Sequence, residues 1–314
     1  MSSPSSQASA AVPDGASPEQ YAALPNGLEL CYQTFGDRTG EPLLLVMGLG
    51  GPMTWWSPAF CRALADRGFF VIRYDNRDTG RSSRAPGRVT RRLLVQSFVG
   101  PSRTRPRPPY TLDDLAEDGF GLLDHLGLES AHVVGISMGG MIVQTMALLR
   151  PDRVRSLTSI MSTTGRRTVG WQDPRLLPRL LERPAVTRKA YVDGSARFWA
   201  VIGSSVYPDT EQAVRDRAAE TWDRGVSAAG VARQMIAIVS QPDRTARLRE
   251  ITVPTLVIHG LADKMVHVSG GRATSRAIPG SELLLVPGMG HDLPEQLHDT
   301  FADAIRRVAD RASR

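Results

Sequence analysis

An alternation of two periodicities limits the fold of this chain more than any motif in it. Short apolar runs at residues 27–36, 42–48, 69–75, 131–136, 154–161, 254–260 and 282–288 are separated by longer stretches in which apolar residues return every three or four positions. The runs suit buried strands and the stretches suit helices that bury one face. Together they predict an α/β chain with a mostly parallel sheet flanked by helices. The helix ends carry their own signals. Ser57 precedes a helix over 57–68, Thr111 and Asp114 stand at capping-box spacing before a helix that Gly127 stops, and Pro151 ends a helix over 138–150. A last helix is expected from about Pro294 to Ala312, and the turn pair Asn26-Gly27 introduces the first strand. There is no internal repeat.

Strand signals stop between about 164 and 248, where the chain reads as several arginine-rich helices. The expected organisation is a disordered tail over 1–24, a core of 25–163 and 249–314, and a helical cap inserted at 164–248. The first twenty residues have neither a basic start nor an apolar stretch of signal-peptide type. The sequence holds no run of about 18 apolar residues of the kind that spans a bilayer. The two cysteines, Cys31 and Cys61, are too few for a disulfide framework and are expected as buried reduced thiols, so a cytoplasmic location follows as an expectation.

The net charge of +6 is local. Eight arginines (81, 84, 88, 91, 92, 103, 105 and 107) fall between Thr79 and Leu112 with no acidic residue among them, and without them the remainder carries −2. No basic face is spread over the molecule, so nucleic acid is not an expected partner. The arginine segment is a lid, a patch making weak contact with a membrane surface, or a solvated loop. Its prolines at 101, 106, 108 and 109 favour an irregular connection.

Chemistry concentrates at "HVVGISMGGM", residues 132–141. A serine between the end of a strand and the start of a helix sits on a very tight turn, where neighbouring side chains would collide with either element. Gly135 and Gly139 remove them, and Gly140 suits close packing of the helix. The turn presents Ser137 Oγ over the sheet edge and offers the Met138 backbone N–H to an anion. A serine hydroxyl needs a base, and the base needs an orienting carboxylate. His291 lies just beyond the last strand and Asp263 just beyond the one before it, with room between them for one helix and one strand. Asp292 is adjacent to the histidine but is expected to point elsewhere.

The other histidines read differently. His132 lies within a strand as a hydrogen-bonded core residue, His259 ends a strand near Asp263 and is a candidate to support the site, and His125, His267 and His298 read as surface or capping positions. No set of residues has metal-ligand spacing and no phosphate or dinucleotide loop follows a strand, so neither metal nor cofactor is expected.

Over about residues 25–312 the chain resembles α/β-hydrolase esterases. The segments "LLLVMG", "VIRYDNRDTGRS", "AHVVGISMGG", "ITVPTLVIHG" and "PGMGH" are most similar to aclacinomycin-methylesterase-type hydrolases and related bacterial lipases and esterases. The resemblance implies a capped serine hydrolase with Ser137 as nucleophile, Asp263 as acid and His291 as base. It also implies that the loop after "LLLVMG" gives a second oxyanion N–H, from Leu49. Here Met47-Gly48 replaces the more common His-Gly pair, which leaves open how that loop is held. In "DNRDTGRS", Asp78 stands where glycine is frequent and is expected in a structural turn. Trp55 and Trp56 follow the oxyanion loop while Trp171, Trp199 and Trp222 fall in the insert, so they line an apolar pocket or pack the cap. The expected activity is cleavage of a small hydrophobic carboxylic ester through an acyl-enzyme. A thioesterase or lactonase with the same three residues, or a non-catalytic binding protein of this fold, is the alternative, and oligomeric state is open.

Overall fold

The computed structural model describes residues 15–87, 89, 96, 108–176, 178 and 184–312. Eight strands form one sheet in the order β1-β2-β4-β3-β5-β6-β7-β8. They are β1 (Gln20–Ala23), β2 (Glu29–Phe35), β3 (Glu41–Val46), β4 (Phe69–Tyr74), β5 (Ala131–Ile136), β6 (Val154–Ile160), β7 (Thr255–Gly260) and β8 (Glu282–Val286). β1 and β2 run antiparallel at one edge, and every pairing from β4 to β8 is parallel.

Strand alternation sorts the core into two layers. Leu44, Val46, Ile72 and Val133 face one layer, with α2 (Leu112–His125) and α3 (Met138–Leu149), while α7 (Ser269–Ala277) contributes Ala277 to it. Leu43, Leu45, Val71 and Val134 face the other, with α1 (Pro58–Ala65) and α8 (His298–Ala309). With both faces covered, the central strands are buried along their length, which is why they read as continuous apolar runs. The caps form as expected: Ser57 Oγ accepts from Phe60 N, and Thr111 and Asp114 close both bonds of a capping box.

Three expectations are corrected. The sequence extends the tail to residue 24, yet Gln20–Ala23 pairs with β2 and buries Ala22. That strand presents one buried residue in four, too short an alternation to stand out. Residues 1–14 of the tail lie outside the described residues. The last helix begins at His298 and not near Pro294, because a 3-10 turn at Glu295–Leu297 precedes it. His298 itself is buried with its ring 5.1 Å from that of Phe60, so it is not a surface position.

Between β6 and β7 come α4 (Arg188–Ile202), α5 (Glu211–Asp223) and α6 (Ala228–Ser240), with no strand among the described residues there. These helices join the sheet's loops through buried ion pairs. Arg224 donates to Asp75 at 2.5 Å and also pairs with Glu19; Arg233 forks onto Asp78 at 2.6 and 2.8 Å. Of the arginine-rich segment, Arg81 pairs with Glu19 at 2.5 Å and Arg84 donates to the carbonyls of Gly80 and Gly225. Nearly all of residues 88–107, where the lid or membrane patch was expected, lies outside the described residues. No helix among the described residues is long and apolar enough to cross a membrane.

Candidate active site

Ser137 connects β5 to α3 with φ +56° and ψ −116°, a conformation that few non-glycine residues adopt. Its neighbours explain how the turn is held. A Cβ on Gly135 would overlap the carbonyl of Gly139, one on Gly139 would overlap the carbonyl of Val46, and one on Gly140 would lie 2.5 Å from Ser162 Cβ. Ser137 N donates to Ile160 O at 2.8 Å, and Ser162 Oγ donates to Ser137 O at 2.8 Å. The strained backbone is therefore fixed from both sides. Ser137 occupies the cap position of α3 but makes no capping bond with its side chain, so Oγ is left for other work.

That oxygen lies 3.1 Å from His291 Nε2, and His291 Nδ1 lies 2.8 Å from Asp263 Oδ2. The carboxylate accepts a hydrogen bond from Nδ1–H, which leaves Nε2 as the acceptor that faces the serine. Asp263 Oδ1 accepts from the backbone N–H of Met265 and Val266, so the loop after β7 aims the carboxylate. Burial alone would raise the Asp263 pKa. The charge and hydrogen bonds of His291 and His259 outweigh it and hold the carboxyl well below its usual range. His259 Nε2 donates to Val266 O at 2.8 Å and lies 3.5 Å from Asp263 Oδ2, so it stands behind that carboxylate, as its position near the end of β7 suggested.

Asp292 does turn away. It accepts from Ser204 N and Ser204 Oγ, and that hydroxyl accepts from Gly290 N, while His291 N donates to Ile202 O. The histidine loop is thereby tied to the end of α4. His132 bonds Ser156 and Glu41 inside the sheet, and burial, only partly offset by Glu41, lowers its pKa to about 4. His267 stacks on Trp171 at 4.0 Å, and His125 is exposed beside Tyr32. None of these reaches Ser137.

The loop after β3 passes against Ser137: a Cβ on Gly48 would lie 3.2 Å from Ser137 Cβ. Residues 48–51 form a turn closed by Gly51 N donating to Gly48 O, with Leu49 second in it and Gly50 third at φ +65°. Three side chains hold this loop. Asn76 Nδ2 donates to Met47 O at 2.9 Å, Asp75 Oδ1 accepts from Met53 N at 2.7 Å, and Gln234 Oε1 accepts from Gly50 N at 2.8 Å. Those contacts answer the question that Met47-Gly48 raised, and Gln234 had no signal in the sequence: it lies 184 positions from its partner. Asp78 does sit in a turn, at φ +72°, and its buried carboxylate also meets Arg233 and the Tyr110 hydroxyl. Beside the loop is a cavity of about 210 Å³ whose lining includes Leu49, Trp55, Tyr191, Phe198, Trp199 and Val231. Trp55 and Trp199 meet edge to face across it at 5.4 Å, whereas Trp56 is wholly buried under α1. The tryptophans thus divide between pocket and packing.

The alpha/beta hydrolase fold family matches residues 41–296 of the chain. Rhodomycin D methylesterase DauP of Streptomyces sp. (strain C5) is 31% identical over 298 residues, 88% of this chain and 93% of that protein. Its counterpart DnrP of Streptomyces peucetius is 30% identical over the same shares. A hydrolase from Pseudomonas aeruginosa superposes with a TM-score of 0.68 at 26% identity, covering 94% of this chain and 98% of that one. With the matched residues spanning most of the sheet, the chain belongs to the α/β-hydrolase family and stands among its carboxylic-ester hydrolases.

Proposed function

We propose that this protein cleaves a carboxylic ester of a hydrophobic small molecule through a serine acyl-enzyme, with α4–α6 serving as a cap over the site. The observation that carries the reading is the hydrogen-bonded series from Ser137 Oγ through His291 to a buried, ionised Asp263. Ser137 Oγ attacks the ester carbonyl as His291 Nε2 takes its proton. The carbonyl oxygen becomes an oxyanion held by the backbone N–H groups of Leu49 and Met138, and Asp263 stabilises the imidazolium. Collapse passes the proton to the departing alcohol. Water, deprotonated by His291, then releases the acid. These steps call on no metal or cofactor. The aromatic cavity next to Leu49 supports a bulky apolar substrate, and the relatives named as rhodomycin D methylesterases support an ester, with methyl esters the first to try. A cytoplasmic setting belongs to the same reading, on two cysteines that are buried free thiols.

Labelling with a fluorophosphonate, followed by peptide mapping, tests the nucleophile. A single adduct on Ser137 is expected, with faster turnover of methyl esters of aromatic acids than of the matching thioesters or lactones. Folded protein that takes no label would return the chain to the non-catalytic reading, and a thioester or lactone preference would move it to the other enzymes.

A further inference from the structure

The Leu49 N–H belongs to a turn that cannot hold itself. One backbone bond closes residues 48–51, and the left-handed Gly50 in third position leaves the Gly50 N–H pointing out of the turn, where it needs an acceptor. That acceptor comes from α6. Gln234 is wholly buried and its carboxamide is bonded at both ends: Oε1 takes the Gly50 N–H at 2.8 Å, while Nε2 gives its two hydrogens to Arg77 O and Thr79 Oγ1, each at 2.9 Å. The side chain thus bridges the Leu49 turn and the turn after β4 from a helix outside the sheet. Arg233, the preceding residue, anchors the same helix turn to Asp78. An amide locked at all three hydrogen bonds has one orientation, and so does the peptide that it holds.

We propose that Gln234 is a positioning residue for the oxyanion hole: by fixing Gly50 from the cap, it sets the direction of the Leu49 N–H, so that the hole is complete only with α6 docked. The proposal rests on the esterase reading above. It makes the cap part of transition-state stabilisation as well as of substrate selection. The loss on breaking the contact is felt where negative charge develops, in kcat, and not in ground-state binding.

The test compares wild type with Gln234→Met, close in shape but without the amide, and, at a pH low enough to protonate its buried carboxyl, Gln234→Glu, which keeps an oxygen for the Gly50 N–H and a hydrogen for Arg77 O. Deleting an oxyanion donor costs about a hundredfold to a thousandfold; misaiming one should cost less. In Q234M, kcat is expected to fall roughly tenfold to a hundredfold with KM changed less than about threefold. The Ki of a trifluoromethyl ketone, which forms a tetrahedral adduct, should rise in proportion to the loss in kcat/KM. Q234E should recover a substantial part of kcat. The final yield of fluorophosphonate adduct on Ser137 should stay whole, which separates this outcome from failure of the esterase reading, where wild type itself takes no label. An unchanged kcat, or a raised KM at constant kcat, overturns the proposal, and so does Q234E as slow as Q234M. Should Q234M not fold, hydrogen exchange of the Gly50 amide in the wild type decides: strong protection is expected, and exchange at the rate of an exposed loop overturns it.

Discussion

The serine turn and the seam between the sheet and α4–α6 are both buried, and both depend on close contact, yet they are built on opposite principles. The turn is local. Residues 135–140 supply the Ser137 hydroxyl, the strained backbone and the missing side chains that the strain requires. The seam is assembled from residues about 150 to 180 positions apart, Arg224 with Asp75, Arg233 with Asp78 and Gln234 with Gly50, whose buried polar contacts stand beside apolar ones such as Trp55 against Trp199. Chemistry needs a fixed point, which adjacent residues fix best. Alignment of a second element needs directional bonds, since apolar packing alone would let α6 slide.

If the triad serves reaction and not packing, its removal must abolish turnover without unfolding the protein. Ser137→Ala and His291→Ala should each lower ester turnover by at least about a thousandfold, and Asp263→Asn by a similar order through a misoriented base. Circular dichroism and thermal melts should stay close to wild type. Near-normal turnover in folded D263N would mean that another group orients His291.

The seam should respond in the reverse sense, in stability first. Arg233→Met leaves Asp78 buried with only Tyr110 and the Ala85 N–H as partners, and an uncompensated buried charge costs about 3–5 kcal/mol. Urea midpoints should drop accordingly, with the doubly substituted R233M/D78N regaining part of the loss. A midpoint unmoved in R233M would show that the ion pair contributes nothing to docking.

A substitution beside Ser137 that touches none of the three site side chains sharpens the contrast. Gly140→Ala sets a methyl 2.5 Å from Ser162 Cβ and should cost about 1–3 kcal/mol as overpacking, which Ser162→Gly in the same chain should relieve. Lack of relief would place the strain elsewhere in the turn.

The smallest expected effect lies away from both regions. His132 has a folded pKa of about 4, below its unfolded value of about 6.5, so the unfolded chain binds the extra proton first. Its contribution is whole above about pH 6.5 and is lost as pH falls towards 4, with a slope of at most about 1.4 kcal/mol per pH unit. Denaturation of wild type and His132→Gln over this window should show a shallower slope in the variant; equal slopes would assign the acid sensitivity to other groups.

How far the chain could be read from its letters follows the same division. Seven of the eight strands, the helix caps at Ser57 and Thr111 and the positions of Ser137, Asp263 and His291 were legible because each is dictated by residues within one turn or strand of it: periodicity sets the sheet faces, and a crowded turn demands glycine. β1 was not legible, since a four-residue edge strand with one buried side chain carries almost no pattern. Asp78 was read only as a turn residue, although its carboxylate also anchors α6. What the sequence by itself determined, then, is the order of elements and which three side chains stand at strand ends on one side of the sheet. The tertiary structure decided the distances that make those three a hydrogen-bonded series, the split of the tryptophans between pocket and core, and the choice of Gln234 to hold the Leu49 turn. The physical reason is that a buried polar group must find some partner but does not encode which one. Only the packing of α6 across the sheet's loops brought Gln234 within 2.8 Å of Gly50.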